Sequence, residues 1–192
     1  NDQRHVIFTQ RKSAMNSDQI FVYSEDFLKE IIDDLILLKA KKLSNPKNND
    51  FDNKLRLILA KNFDENNFKN ILSLKDNELR EEIIYHFKEK REDRIKFLGE
   101  NQSKEIEKRI FLQSIDMNWK SHIQYLEQLR QVIGLRSYGQ RDPLVEYKKE
   151  AFELFENLLN KLKLDFITIL INLKVVEAPA EKKQEIKQTK ID

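Results

Sequence analysis

Three glycines and three prolines are spread over 192 residues, and that scarcity limits the fold more than any other feature of the chain. A sheet protein needs turn residues about every ten positions, and this chain cannot supply them. The mix that remains is rich in Lys, Glu, Leu, Ile and Asn and suits long solvent-exposed helices. The expected fold class is all-α and elongated.

Apolar spacing places the helices. Val6, Ile7 and Phe8 carry a short amphipathic pattern that Asn16, Ser17 and Asp18 interrupt. A second helix starts at Ser17 or Ser24 and reaches Leu43, with Ile20, Phe27, Ile31, Leu35 and Leu38 on its stripe. Ser24-Glu25-Asp26 either caps a break or sits within that helix. Residues 44–50 (SNPKNND) form the clearest linker, a proline among turn-forming side chains. Shorter amphipathic pieces follow over 51–62, 64–72 and from 76 onward, with Asp64-Glu65 and Ser73 with Asp76 as polar starts. Together they read as a small helical subdomain.

From about residue 78 to 135 the helical signal is nearly continuous, and Gly99 is either a kink or a tolerated interruption. Ile106, Ile110, Ile115, Trp119, His122, Leu126, Leu129 and Ile133 mark one stripe. Residues 134–143 (GLRSYGQRDP) must turn, because two glycines and a proline fall together there. Tyr147, Ala151, Leu154, Leu158, Leu162, Phe166, Ile169 and Leu173 mark a second stripe. Two long amphipathic helices joined by a short loop make an antiparallel hairpin. A sustained inter-chain coiled coil would need a narrower seam without that break.

Charge narrows the partners. Lys and Arg number 35 against 33 Asp and Glu, a net charge of +2, whereas nucleic-acid binding draws its affinity from a basic surplus. No nucleic-acid partner is expected, and the run at 88–96 (KEKREDRIK) reads as a solvated helix face with i,i+4 pairs. The absence of Cys leaves neither disulfides nor cysteine–zinc sites and fits a reducing compartment. No apolar run approaches the roughly 20 residues of a membrane span. The N-terminal residues lack signal-peptide anatomy and read as the start of an excised fragment.

Catalytic patterns are missing as well. Gly99, Gly134 and Gly139 do not stand in a P-loop pattern. His5, His86 and His122 lack zinc-ligand spacing, and His122 on its apolar stripe reads as a packing residue. Asp116, next to the stripe, is expected to cap or to pair with Lys120 at i+4. No serine occupies a nucleophile elbow. The chain as given is expected not to be an enzyme and to hold no cofactor or metal.

The turn is the candidate site, because loops carry function when a rigid scaffold positions them. Tyr138 stands between Arg136 and Arg141, with Gln140 alongside. Its ring offers apolar contact to an extended polypeptide and its hydroxyl a hydrogen bond. Folding back over the hairpin as a local plug is equally compatible with the residues alone.

A resemblance adds to this. LQSIDMNWKSHI (112–123) and LRQVIGLRSYGQRDPLVEYKKEAF (129–152) closely resemble the two-helix finger of the SecA preprotein translocase ATPases. NDQRHVIFTQR (1–11) is similar to the stretch that follows the second motor domain in that family. The likeness is strong at both ends of 1–175 and weak over about 41–94, where the family has its variable helical wing. At the tip the family usually reads LRGYAQKDP, so Ser137 replaces a glycine and Gly139 an alanine. Asn118 and Ser121 stand where the family often has leucine and glutamate. The cysteine-rich zinc tail of many members is absent.

The resemblance implies residues 1–43 as the first part of a helical scaffold and 44–98 as the wing. It implies 99–176 as the second scaffold part with the finger (tip 134–143), and the aperiodic 177–192 are expected to be disordered. By the same resemblance, ATP and Mg belong to motor domains outside this chain, and the partners are those domains, the SecYEG channel and unfolded preprotein. The implied setting is the cytoplasmic face of the plasma (inner) membrane, with a homodimeric parent as one option. Tyr138, with Arg136, Gln140 and Arg141, is the implied polypeptide contact. An unrelated helical adaptor would share the composition but not the matched motifs.

Overall fold

The computed structural model describes residues 2–16, 18–59, 63–139 and 142–176, without the side chains of 137 and 138. Among these residues the chain is all-α, with no strand. The helices are α1 (Asp2–Asn16), α2 (Ile20–Ser44), α3 (Asp50–Leu59), α4 (Glu65–Leu72), α5 (Asp76–Leu98), α6 (Glu100–Ile133) and α7 (Pro143–Asn172), with a 3-10 turn (Gly134–Gly139) between the last two.

Local chemistry sets the boundaries. The Asp64 carboxylate accepts from the Asn67 amide at 2.8 Å and starts α4. Ser73 ends α4, with its hydroxyl on the Asn70 carbonyl at 2.7 Å, so it is not the start of α5. That start lies at Lys75, whose amide donates to Glu78 Oε2 at 3.0 Å. Asp142 accepts from the Leu144 amide at 2.9 Å, and Pro143 opens α7, where a missing N–H costs nothing. Ser24 lies inside α2, bonded back to the Ile20 carbonyl at 3.0 Å. Gly99 separates α5 from α6 with φ of 83°, a left-handed backbone open to glycine at little cost. A Cβ at Gly99 would meet nothing within 4 Å, so backbone conformation and not crowding calls for glycine.

With 34 and 30 residues, α6 and α7 are about 50 and 45 Å long at the helical rise. They run antiparallel, with the His122 ring 5.8 Å from Phe155 and Asn118 Nδ2 donating to Asp165 Oδ2 at 3.1 Å. At one end of this hairpin α2 packs across both helices. Phe27 of α2, Phe111 of α6 and Phe166 of α7 meet there, with ring centroids 5.1 to 6.2 Å apart. The same apolar cluster takes in Leu55 and Ile58 of α3, Phe68 of α4, and Leu79, Ile83 and Phe87 of α5. Asn172 donates to the Ile58 carbonyl at 2.9 Å and ties α3 to the end of α7. Toward the turn the core thins to Leu129, Ile133 and Ala151, with Leu126, Tyr147 and Leu154 half-buried. The molecule therefore has a thick base and a two-helix projection.

The buried lines differ from the sequence stripes near the base. Ile106 and Ile110 are half-buried, while Ser103, Glu107, Phe111, Ser114, Ile115, Asn118 and His122 face inward. On α7, Ile169 is 42% exposed, whereas Ile167, Leu170 and Ile171 are buried. The base helices are covered on more than one side, so a single stripe does not describe them. Phe166→Ala is expected to cost about 3–5 kcal/mol, while Ile169→Ala stays within about 0.5 kcal/mol; chemical denaturation of both variants checks the contrast.

Candidate functional site: the hairpin tip and a buried ionic joint

At the tip, Leu129 and Ile133 of α6 pack on Ala151 of α7, and the 3-10 turn closes the hairpin between them. Arg136 in that turn pairs with Glu150 and, at 3.6 Å, with Glu146, so its guanidinium ties the turn to the first turns of α7. Tyr138 lies in the same turn; its side chain, and all of Gln140 and Arg141, fall outside the described residues. Val132, Leu135, Leu144 and Val145 are each at least half exposed. They form an apolar collar on both sides of the turn, and clustered exposure of this kind marks an interaction surface better than a lone leucine does.

Two polar ties fix α1 along the hairpin. Gln3 donates through Nε2 to the Ala151 carbonyl at 3.0 Å and accepts at Oε1 from His122 at 2.8 Å. Because the Gln3 amide is oriented by Ala151, the His122 proton sits on Nε2. His122 is packed near Trp119 and Phe155, and its burial lowers the imidazole pKa from its ordinary value. Further along, Arg11 binds Asp116 at 3.1 and 3.3 Å. Asp116 is thus exposed and paired across helices, not with Lys120. A cleft of about 530 Å³ opens between the start of α1 and the hairpin, lined in part by Trp119, Ile123, Tyr147 and Phe152.

The second polar centre lies at the base and overturns one expectation. The 88–96 run is a solvated face only in part: Lys88, Glu92, Asp93 and Lys96 are exposed, but Arg91 is 6% exposed and Arg94 1%. Both reach Glu107 of α6, itself fully buried. Arg91 donates to Glu107 through Nε and Nη2, each at 3.0 Å, and Arg94 through Nη2 at 2.9 Å. The Ser24 hydroxyl of α2 donates to Glu107 at 3.0 Å. Arg94 also donates to the Leu170 carbonyl of α7 at 3.0 Å, and Arg91 to Glu25 of α2 at 2.7 Å. The Arg91 guanidinium sits between the rings of Phe21 and Phe87, at 4.1 and 4.7 Å. Burial pulls the Arg94 pKa down, and the charge of Glu107 opposes that pull. One carboxylate thus gathers groups from α2, α5 and α6, and through Arg94 from α7.

A signal for this centre does exist in the sequence. The buried line of α5 runs Leu79, Ile83, Phe87 and then on to Arg91 and Arg94 at helical spacing. On α6 the line Ser103, Glu107, Phe111 carries the opposite charge. Read as a continued stripe, the two arginines point inward.

Residues 1–174 match the SecA Wing and Scaffold domain. The chain belongs to that family. Among curated relatives it is similar to protein translocase subunit SecA of Pelagibacter ubique, 67% identical over 181 residues covering 94% of this chain and 21% of that protein. It is also similar to the SecA subunits of Hyphomonas neptunium (34% identical, 97% of this chain and 20% of the relative) and Caulobacter vibrioides (34%, 94% and 20%). The chain therefore spans about a fifth of the length of the relatives it matches. Every element of this SecA wing and scaffold chain from α1 to α7 lies within the matched span. Among its described residues no helix is long and apolar enough to cross a membrane, and no cluster of His, Asp or Glu is arranged to hold a metal.

The His122 burial has a signed consequence. The unfolded imidazole takes up a proton at about pH 6.5, while the buried one resists it. The stability contributed by neutral His122 is complete above that pH and declines as pH falls below it. Between pH 7 and 5 the melting temperature of His122→Asn is expected to fall less steeply than that of the unaltered chain, as a thermal melt series would show.

Proposed function

We propose that this chain is the scaffold, wing and two-helix finger of a SecA protein-export motor, passing ATP-driven motion to a preprotein at the SecYEG channel. The observation that carries the reading is the one-ended hairpin: a broad apolar base formed with α2, α3 and α5, and a thin projection ending in an exposed apolar collar. Helices about 45–50 Å long transmit a displacement at the base to a distant tip. In this reading residues 1–43 and 99–176 are scaffold and finger, and 44–98 are the wing.

Nucleotide and Mg chemistry belongs to motor domains outside this chain, which itself acts as a mechanical and contact element and not as an enzyme. The setting is the cytoplasmic face of the membrane, with the finger directed at the channel mouth. Tyr138 is the polypeptide-contacting residue, flanked by Gln140 and Arg141. Arg136 serves chiefly to brace the turn, because its guanidinium is held by Glu146 and Glu150.

The test places a cysteine at Tyr138 in a full-length motor containing this chain and stalls it on SecYEG with a cysteine-bearing preprotein. ATP-dependent crosslinks from the tip to the preprotein are expected. Crosslinking from a position in α3 or α4 with none from Tyr138→Cys would move the contact to the wing.

A further inference from the structure

The single residue Gly99 joins α5 to α6. Its φ of 83° lets the chain turn sharply, and the space around its Cα is open, with nothing within 4 Å of a Cβ placed there. The groups that fix the angle bracket it: Arg91 and Arg94 precede Gly99 on α5, and Glu107 follows it on α6. We propose that Glu107, Arg91 and Arg94 form a releasable polar latch that sets the angle between the wing helix α5 and the α6–α7 hairpin about Gly99.

The chemistry of the contact favours release. Up to Phe87 the buried line of α5 is apolar, and beyond it the inward groups are guanidiniums. Separating apolar faces loses the full transfer free energy of the exposed area, whereas separated ions recover hydration that their burial had removed. A cleft of about 440 Å³ lies between the ends of α5 and α7, lined by Arg94, Lys90, Lys96 and Phe97 on one side and Leu173 and Lys174 on the other. Arg94 is incompletely satisfied even when closed, because its Nε has no partner.

The partners also decide what separates. Both hydrogen-bond partners of Arg94, Glu107 and the Leu170 carbonyl, are in the hairpin. Arg91 holds α2 as well, through Glu25, Ser24 and the Phe21 carbonyl. Arg80–Asp33 at 2.7 Å and Lys39–Asp76 at 2.7 Å add two ties between α2 and α5. Opening the latch therefore releases the Arg91–Arg94 end of α5 from the hairpin, while Leu79, Ile83 and Phe87 stay in the shared apolar cluster.

The chain contains no cysteine, so spin labels at Lys88→Cys in α5 and Gln128→Cys in α6, both exposed, report this angle by pulsed electron resonance. The host is the full-length protein containing this chain, with cysteines elsewhere replaced. The unaltered latch is expected to give one dominant distance. Glu107→Gln is expected to raise a second, shifted distance about tenfold or more in population with helix content unchanged by circular dichroism. Arg94→Lys keeps the charge but cannot hold both Glu107 and the Leu170 carbonyl as the guanidinium does, and is expected to raise it less. An unchanged distance in both variants, even with a lowered melting temperature, overturns the latch and leaves a static brace. If Glu107→Gln loses helix, Arg94→Lys decides alone, and an unshifted distance there overturns the proposal. Contact between Tyr138 and polypeptide does not enter this measurement, so the latch and the proposed function fail separately.

Discussion

The carboxylate of Glu107 is the point on which the base of the molecule turns. It is fully buried and accepts from Arg91, Arg94 and Ser24, so three helices meet at two oxygens. Arg94 adds the Leu170 carbonyl and brings in the fourth. Apolar burial alone is non-directional, and the Phe27–Phe111–Phe166 cluster would tolerate several angles between its helices. Guanidinium–carboxylate hydrogen bonds tolerate few. The apolar cluster supplies most of the cohesion, and the ionic joint specifies how α5 lies against the hairpin.

Beyond the joint, the hairpin depends on progressively fewer contacts. The ties of α1 at Asp116, His122 and Ala151 hold its middle; among the described residues the Leu129–Ile133–Ala151 cluster and the Arg136 pairs brace its end. A projection braced in this way stays straight while presenting Val132, Leu135, Leu144 and Val145 to a partner. That division is what the proposed role asks for, a broad base to receive motion and a narrow end to make contact.

Much of this was legible in the residues because it follows from turn chemistry and helical period. In the linker at 44–50, at the Asp64 start and at the Asp142 start of α7, side chains act on their own backbone, so local reading suffices. The charged run at 88–96 was misread at Arg91 and Arg94 because charge on a helix is ordinarily solvated; only the fold shows that this side of α5 is covered by α2 and by the hairpin. Asp116 went the same way, since its partner Arg11 lies 105 positions away. Ile169 stood on the expected stripe but faces out because the base of α7 is packed from more than one direction. At the candidate contact site, the backbone turn and Arg136 are described, while the side chains of Tyr138, Gln140 and Arg141 lie outside the described residues.

A double-mutant cycle on Arg94 and Glu107 tests most directly whether this joint governs the base. Chemical denaturation would be measured for Arg94→Met, Glu107→Gln and the pair. Glu107→Gln leaves two buried guanidiniums without their carboxylate and is expected to cost about 3–5 kcal/mol, whereas Arg94→Met leaves Glu107 on Arg91 and is expected to cost less. The double variant removes both charges and is expected to recover about 2 kcal/mol or more relative to the sum. Strict additivity, with each single change costing less than about 1 kcal/mol, would contradict the account and return the base to apolar packing alone.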